Sequence, residues 1–121
     1  MVVRSLTHAI KNVFVKPVTR LYPDEIMELP ERFKGRHHLD IEKCVGCGIC
    51  AQTCPNNCIE IVKFQSGWYP QIDYGHCLFC YLCAEMCPLN ALSNTKEFEL
   101  AGWDKQSVVW GPERLMKRSE K

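Results

Sequence analysis

One spacing dominates this chain. Cys44, Cys47, Cys50 and Cys54 recur as Cys77, Cys80, Cys83 and Cys87, each displaced by 33 residues. Pro55 returns as Pro88 at the same offset, as do Asp40 as Asp73, Ala51 as Ala84 and Asn57 as Asn90. Two copies of one C-x2-C-x2-C-x3-C-P unit are therefore present, at about 37–62 and 70–95. The tail of the unit is looser, Ile59 and Ile61 answering to Leu92 and Asn94. Of nine cysteines in 121 residues, Cys58 alone falls outside the repeat, where its mate is Ala91.

The spacing has a chemical meaning. Three thiolates at i, i+3 and i+6 on a looped backbone each hold one iron of a cubane cluster. The fourth, followed by proline, is turned away and ligates the other cluster in two-cluster proteins. The expected ligands are Cys44, Cys47, Cys50 and Cys87 for one [4Fe–4S] cluster, and Cys77, Cys80, Cys83 and Cys54 for the second. The exchange ties the two halves together through metal, which helps a unit whose own core is small. The competing reading, a pair of structural zinc sites, expects ligand pairs separated by a spacer. Two uninterrupted four-cysteine runs fit that poorly. A disulfide framework is not expected either: residues 1–17 lack both the apolar stretch and the small-residue cleavage site of a secretory signal, and an odd count leaves one thiol over.

Within the first run, Gly46 and Gly48 permit positive φ and close backbone approach, so that N–H groups point at sulfur and raise the reduction potential. The second run carries Leu78, Phe79, Tyr81 and Leu82, expected to shield its cluster from water. The two potentials should differ, in an order the residues do not fix. Cys58 reads as a small buried hydrophobe at the start of a strand rather than a ninth ligand or redox thiol.

Short strands are expected at 38–41, 58–63 and 69–73, with 91–93 closing against the first. Single helical turns are expected at 51–54 and 84–87, each stopped before its proline, and Asp40 and Asp73 should cap turns. The predicted class is α+β: a pseudo-two-fold unit with clusters for a core, an N-terminal amphipathic helix and extended arms. It divides into a docking helix and arm (1–36), a two-cluster domain (37–95) and a C-terminal docking extension (96–121).

Residues 1–23 hold Arg4, Lys11, Lys16 and Arg20 and no acid. Leu6, Ile10, Val13 and Phe14 fall on one helical face, with Ser5 or Thr7 to start the helix and Pro17 to end it. A basic amphipathic helix suits a membrane surface or a partner's groove. Residues 24–38 lack periodicity and read as an extended arm, in which Arg32, Lys34, Arg36, His37 and His38 form a basic patch; the His37-His38 pair suits docking or hydrogen bonding rather than a third metal. Trp103, Val108, Val109, Trp110, Leu115 and Met116 read as interface anchors or as cover for a cluster, and 117–121 as a frayed tail. The net charge of +1 leaves no footprint for nucleic acid, and no apolar run approaches the ~18 residues of a spanning helix.

The cysteine runs resemble two-[4Fe–4S] ferredoxins, which implies a pseudo-two-fold ferredoxin fold of bacterial type. The flanks are more specific. Lys16-Pro17-Val18-Thr19-Arg20-Leu21-Tyr22-Pro23, Leu29-Pro30-Glu31-Arg32-Phe33-Lys34-Gly35-Arg36-His37, Cys54-Pro55-Asn56-Asn57-Cys58-Ile59, Asp73-Tyr74-Gly75-His76-Cys77-Leu78-Phe79-Cys80 and Phe98-Glu99-Leu100-Ala101 are similar to the ferredoxin-like subunit of respiratory complex I. In that subunit a cysteine at the Cys58 position is common. Many homologues carry a longer acidic segment before the first cysteine, where this chain has only Leu39-Asp40-Ile41-Glu42-Lys43. That, with the short chain, looks more like the small ferredoxin subunits of membrane-bound [NiFe] hydrogenases and related archaeal or anaerobic complexes.

The resemblance implies an electron-relay subunit of a membrane-bound, ion-translocating complex of the hydrogenase or sulfur-reducing kind. It would sit peripherally on the cytoplasmic side of the membrane and catalyse nothing alone. Implied partners are a catalytic large subunit, a small cluster-bearing subunit, and a membrane arm reached through residues 1–20. A subunit of complex I proper and a free soluble ferredoxin are the alternatives. The residues offer no nucleophile–base pair, phosphate loop or dinucleotide fingerprint.

Overall fold

The computed structural model describes residues 2–117. Helix α1 (Val2–Val13) is followed by 23 residues without helix or strand before β1 (His37–Leu39). Then come α2 (Ile49–Thr53), β2 (Ile59–Phe64), β3 (Gly67–Asp73), α3 (Leu82–Glu85), β4 (Leu92–Asn94), a 3-10 turn (Lys105–Val108), β5 (Val109–Trp110) and α4 (Pro112–Leu115). This is a mixed helix and sheet structure. β1 to β4, α2 and α3 sit within about two residues of their expected positions, whereas α1 lies several residues earlier than expected and the 3-10 turn, β5 and α4 have no counterpart in the sequence reading.

Two antiparallel sheets form. β1 pairs with β4 in the register His37 to Asn94 and Leu39 to Leu92. β2 pairs with β3 from Ile59–Ile72 to Phe64–Gly67, and β3 takes β5 on its other side through Ile72 and Asp73. Pro70 is tolerated because β5 does not reach it: there β3 has a neighbour on one side only. Asp40 and Asp73 do what their equivalence suggests. Asp40 Oδ1 accepts the Glu42 N–H at 3.2 Å and Asp73 Oδ1 accepts the Gly75 N–H at 2.8 Å, opening the loop ahead of each cysteine run.

Between the sheets lies a small core of Leu39, Ile59, Ile72, Tyr74, Leu92 and Leu115, joined by the thiols of Cys58 and Cys83. Burying each large aliphatic contributes about 1.5–3 kcal/mol. The C-terminal stretch enters this core. Leu115 is completely buried, and Trp110 rests edge-on against Tyr74 at 5.5 Å. The last strand and helix of this stretch thus pack onto the core, whereas Trp103 projects freely into solvent. Residues 118–121 of the expected frayed tail lie outside the described residues.

The expected basic patch is split. Lys34 and Arg32 are exposed, but Arg36 and His37 are buried. Arg36 pairs with Glu97, donates to the carbonyls of His37 and Lys117, and lies 5.3 Å over the Trp110 ring. A buried guanidinium persists here because its donors are used. His38 Nδ1 meets the Leu115 carbonyl at 3.1 Å. The helix α1 begins before Ser5 and Thr7; the Thr7 hydroxyl instead donates back to the Val3 and Arg4 carbonyls. It ends at Val13, ahead of Pro17. Every described side chain of α1 is exposed, including Leu6, Ile10 and Val13. Among the described residues no helix is long and apolar enough to cross a membrane.

Candidate metal centres

The two cysteine loops share one backbone course. Gly46 and Gly48 have φ of 70° and 79°; their repeat mates Phe79 and Tyr81 have 51° and 68°. Asn57 and Asn90 match at 49°. Gly48 and Tyr81 stand at the starts of α2 and α3. The first loop uses glycine where a Cβ at Gly46 would lie 2.4 Å from the Trp68 carbonyl oxygen. The second holds two aromatic residues in a conformation L-residues rarely adopt, a strain of about 1–2 kcal/mol each. Sequence reading missed this strain. The signal was present, since residues 33 positions from two loop glycines inherit their backbone conformation.

This geometry collects the thiols around two cavities. The first, about 400 Å³ with its open mouth, is lined by Cys44, Cys47, Cys50 and Cys87, with Ile61 and Leu92 among its apolar walls. The second, about 300 Å³, is lined by Cys77, Cys80, Cys83, Cys54 and also Cys58, with His37 and Tyr81 beside them. All nine cysteines are free thiols. Among the described residues no three Cys, His or carboxylate side chains converge as they would on a single metal ion; the sulfurs ring a space instead.

Backbone N–H groups serve the sulfurs at matching positions. The Cys58 N–H donates to Cys54 Sγ at 3.5 Å, and the Ala91 N–H to Cys87 Sγ at 3.3 Å. Phe79 N–H reaches Cys77 Sγ at 3.4 Å, and Gly46 N–H serves Cys44 likewise. Four soft donors, apolar walls and N–H groups aimed at sulfur suit an anionic iron–sulfur group. Burial pushes the Cys50 thiol up to about 11 and that of Cys83 to about 12, and raises Cys44 and Cys77. Cys54 goes the other way. Burial pushes it up, but the N–H of Cys58, the Cys58 side chain and the N–H groups of Asn56 and Asn57 together hold it below an ordinary thiol.

Cys58 is buried, and at the cavity rather than away from it: its Sγ lies 3.3 Å from Cys54 Sγ. Burial raises its thiol far above the usual range. The expected hydrophobic cover of the second loop is divided. Positive φ turns Tyr81 inward and leaves Phe79 half-buried, while Leu78 and Leu82 stay exposed. His37 fills the space so defined. Its ring stacks on Tyr81 at 4.4 Å, lies 5.9 Å from Tyr74, and brings Nε2 to 3.4 Å from Cys83 Sγ. Burial pushes this imidazole down to about 4, so it is uncharged at neutral pH. Lys34 donates to the Cys80 carbonyl at 2.7 Å, which sets a positive charge over the same loop.

Fold and cavities together define an iron–sulfur protein of ferredoxin type with two [4Fe–4S] clusters. The sequence profile of the 4Fe-4S dicluster domain matches residues 43–91. The chain is 52% identical over 63 residues to the F(420)H(2) dehydrogenase subunit I of Methanosarcina mazei, covering 52% of this chain and 36% of that one. It is 42% identical over 125 residues to the NADH-quinone oxidoreductase subunit I of Erwinia tasmaniensis, covering 94% and 69%. A solved structure of an archaeal respiratory membrane complex, the membrane-bound sulfane sulfur reductase, contains a chain similar to this one at 38% identity and a TM-score of 0.64, over 84% of this chain and 56% of that one. The chain belongs to the family of NADH-quinone oxidoreductase subunit I. It spans about a third of the Methanosarcina relative and little more than half of the structural neighbour.

Proposed function

We propose that this chain is the electron-relay subunit of a membrane-bound respiratory oxidoreductase. Each [4Fe–4S] cluster, when bound, takes up and returns one electron at a time. The residues hold the clusters, aim donors at them and limit water. Cys44, Cys47, Cys50 and Cys87 hold the first; Cys77, Cys80, Cys83 and Cys54 hold the second. The observation that carries this reading is the crossed lining: Cys87 stands with the first loop's thiols and Cys54 with the second's. The matching φ values and N–H donors support a pseudo-two-fold arrangement of 37–95 as the cluster unit.

Residues 1–36 serve as docking helix and arm, and 96–121 as a second docking extension whose β5 and α4 anchor it to the core. The exposed face of Leu6, Ile10, Val13 and Phe14, with Arg4 and Lys11, suits a membrane arm or a neighbouring subunit. A large catalytic subunit and a small cluster-bearing subunit complete the path, on the cytoplasmic side of the membrane. The likeness to a chain of the sulfane sulfur reductase supports a sulfur-reducing or hydrogenase-like assembly, and the 42% identity to NADH-quinone oxidoreductase subunit I supports complex I proper as the alternative.

Anaerobic purification followed by metal analysis tests the cofactor and its role. The expected result is about eight irons and eight acid-labile sulfides per chain, with broad absorption near 400 nm. A colourless, zinc-only protein overturns it. Gel filtration of native extract tests the subunit reading, which elution as a lone small chain refutes. Deleting residues 1–16 should leave both clusters assembled and release the protein from membranes.

A further inference from the structure

His37 is a buried histidine that the relay of electrons does not itself require. Two observations bear on its ring. Nε2 lies 3.4 Å from Cys83 Sγ. Nδ1 is buried and has no hydrogen-bond partner among the described residues. Resting on the assignment of Cys83 to the second cluster, we infer that His37 is a positioning residue that donates its Nε2–H to Cys83 sulfur and thereby raises the reduction potential of that cluster.

The tautomer follows from both ends of the ring. A cysteine bound to iron is a thiolate and carries no proton, so the hydrogen of the N···S contact sits on nitrogen. Every imidazole carries at least one N–H. Placing it on Nδ1 would strand a buried donor and also set two acceptors, Nε2 and sulfur, against each other. With the hydrogen on Nε2, Nδ1 keeps only a bare lone pair, the less costly deficiency. Stacking on Tyr81 excludes water from the ring without offering a competing partner.

The ring is also held in place. The His37 N–H donates to Tyr74 Oη at 3.0 Å, and Tyr81 Oη donates to the Gly35 carbonyl two residues upstream. β1 pairs His37 with Asn94, fixing its Cα against β4. The imidazole therefore cannot swing away from Cys83 without breaking the stack. Reduction adds one electron to the cluster and increases negative charge on its sulfurs. A fixed N–H dipole favours that state. No bond forms or breaks and no proton moves. The first loop's equivalent of Cys83 is Cys50, and the first cavity is lined by no histidine. The donor is thus an addition to one cluster alone, over a backbone N–H set the two share.

The test uses the full chain purified anaerobically with its clusters, titrated with dithionite and redox mediators and read by EPR. His37→Phe keeps the aromatic stack and removes the donor; His37→Gln keeps an N–H donor and removes the stack. The Phe variant should lower one cluster's potential so that its oxidised-to-reduced ratio at a fixed potential rises about tenfold, ~59 mV for one electron. The Gln variant should stay near wild type and the other cluster unchanged. In wild-type protein labelled with 15N-histidine, the reduced cluster should show a weak 15N hyperfine coupling, absent from the Phe variant.

Unchanged potentials in a His37→Phe protein of full iron content overturn the inference, and so does absence of the 15N coupling from wild type. The wild-type measurement decides the matter if the Phe variant fails to assemble. The underlying ligand assignment is tested separately by Cys83→Ser. Full retention of iron there overturns that assignment, whereas loss of one cluster there with silent His37 variants overturns only the role of His37.

Discussion

Alanine at Gly46 and at Gly48 should have very different consequences, although both glycines have φ near 75°. The backbone penalty for an L-residue in this conformation is about 1–2 kcal/mol at either site. Removing glycine from the unfolded chain returns about 0.4–1 kcal/mol. Gly48→Ala meets little else, since its added Cβ would find its nearest neighbour, Ile61 Cγ1, at 4.0 Å. The net loss there is about 1 kcal/mol. At Gly46 the Cβ would sit 2.4 Å from the Trp68 carbonyl oxygen and 3.0 Å from Trp68 Cβ. The first obstacle is main chain in β3, which cannot rotate aside. It must retreat by about 1 Å to ordinary contact, an overpacking penalty of about 1–3 kcal/mol. Gly46→Ala should therefore lose about 3 kcal/mol and displace the N–H that serves Cys44. The assay is the rate at which the 400 nm absorption bleaches in denaturant under anaerobic conditions, with iron counted before and after. Phe79 and Tyr81 already carry side chains at the matching positions of the second loop, so φ alone is tolerated. Equal bleaching rates for the two alanine variants would refute the argument that space, rather than backbone conformation, demands the glycine.

Arg36→Ala removes a buried cation that joins Glu97, the His37 and Lys117 carbonyls and the Trp110 ring. It should destabilise the protein by about 3 kcal/mol, and Arg36→Lys should not rescue it because lysine lacks the planar fork; thermal bleaching midpoints check both. Cys58→Ser should retain all eight irons by metal analysis, because four other thiols already line each cavity. Asp40→Ala and Asp73→Ala should each weaken the protein by about 1 kcal/mol in denaturant, since each removes the acceptor of one loop-opening backbone N–H.

The repeat made the cluster unit legible because metal ligation fixes spacing more tightly than any hydrophobic pattern. Strand pairing followed from it: once Asp40 and Asp73 are equivalent, the segments around them must be placed alike. What stayed hidden depends on contacts distant in sequence. Arg36 and His37 read as part of a basic patch for docking or hydrogen bonding, and nothing local announces the carboxylate of Glu97 or the ring of Tyr81 as their partners. Leu115 and Trp110 read as interface anchors or cluster cover without a choice between them, because α4 has four residues and β5 has two, too short for periodicity to reveal an inward face. The division of the second loop's aromatics was hidden for another reason. Composition counts Leu78, Phe79, Tyr81 and Leu82 alike, but alternate positions at positive φ send alternate side chains inward.

That alternation leads to a last test, because strain and burial oppose one another at Tyr81. Tyr81→Gly would relieve about 1–2 kcal/mol of left-handed strain and make the second loop resemble the first. It would also delete a side chain only 4% exposed, with its stack on His37 and its hydrogen bond to Gly35. Removing a buried aromatic loses about 3–5 kcal/mol. Burial wins by about 2 kcal/mol, so the variant should be less stable despite its better backbone. Its second cluster should bleach faster in air, because the opened space admits water and oxygen beside Cys83, while the first cluster should keep its wild-type rate. A more stable Tyr81→Gly protein, or equal acceleration at both clusters, would mean that the aromatic cover is not what distinguishes the two sites.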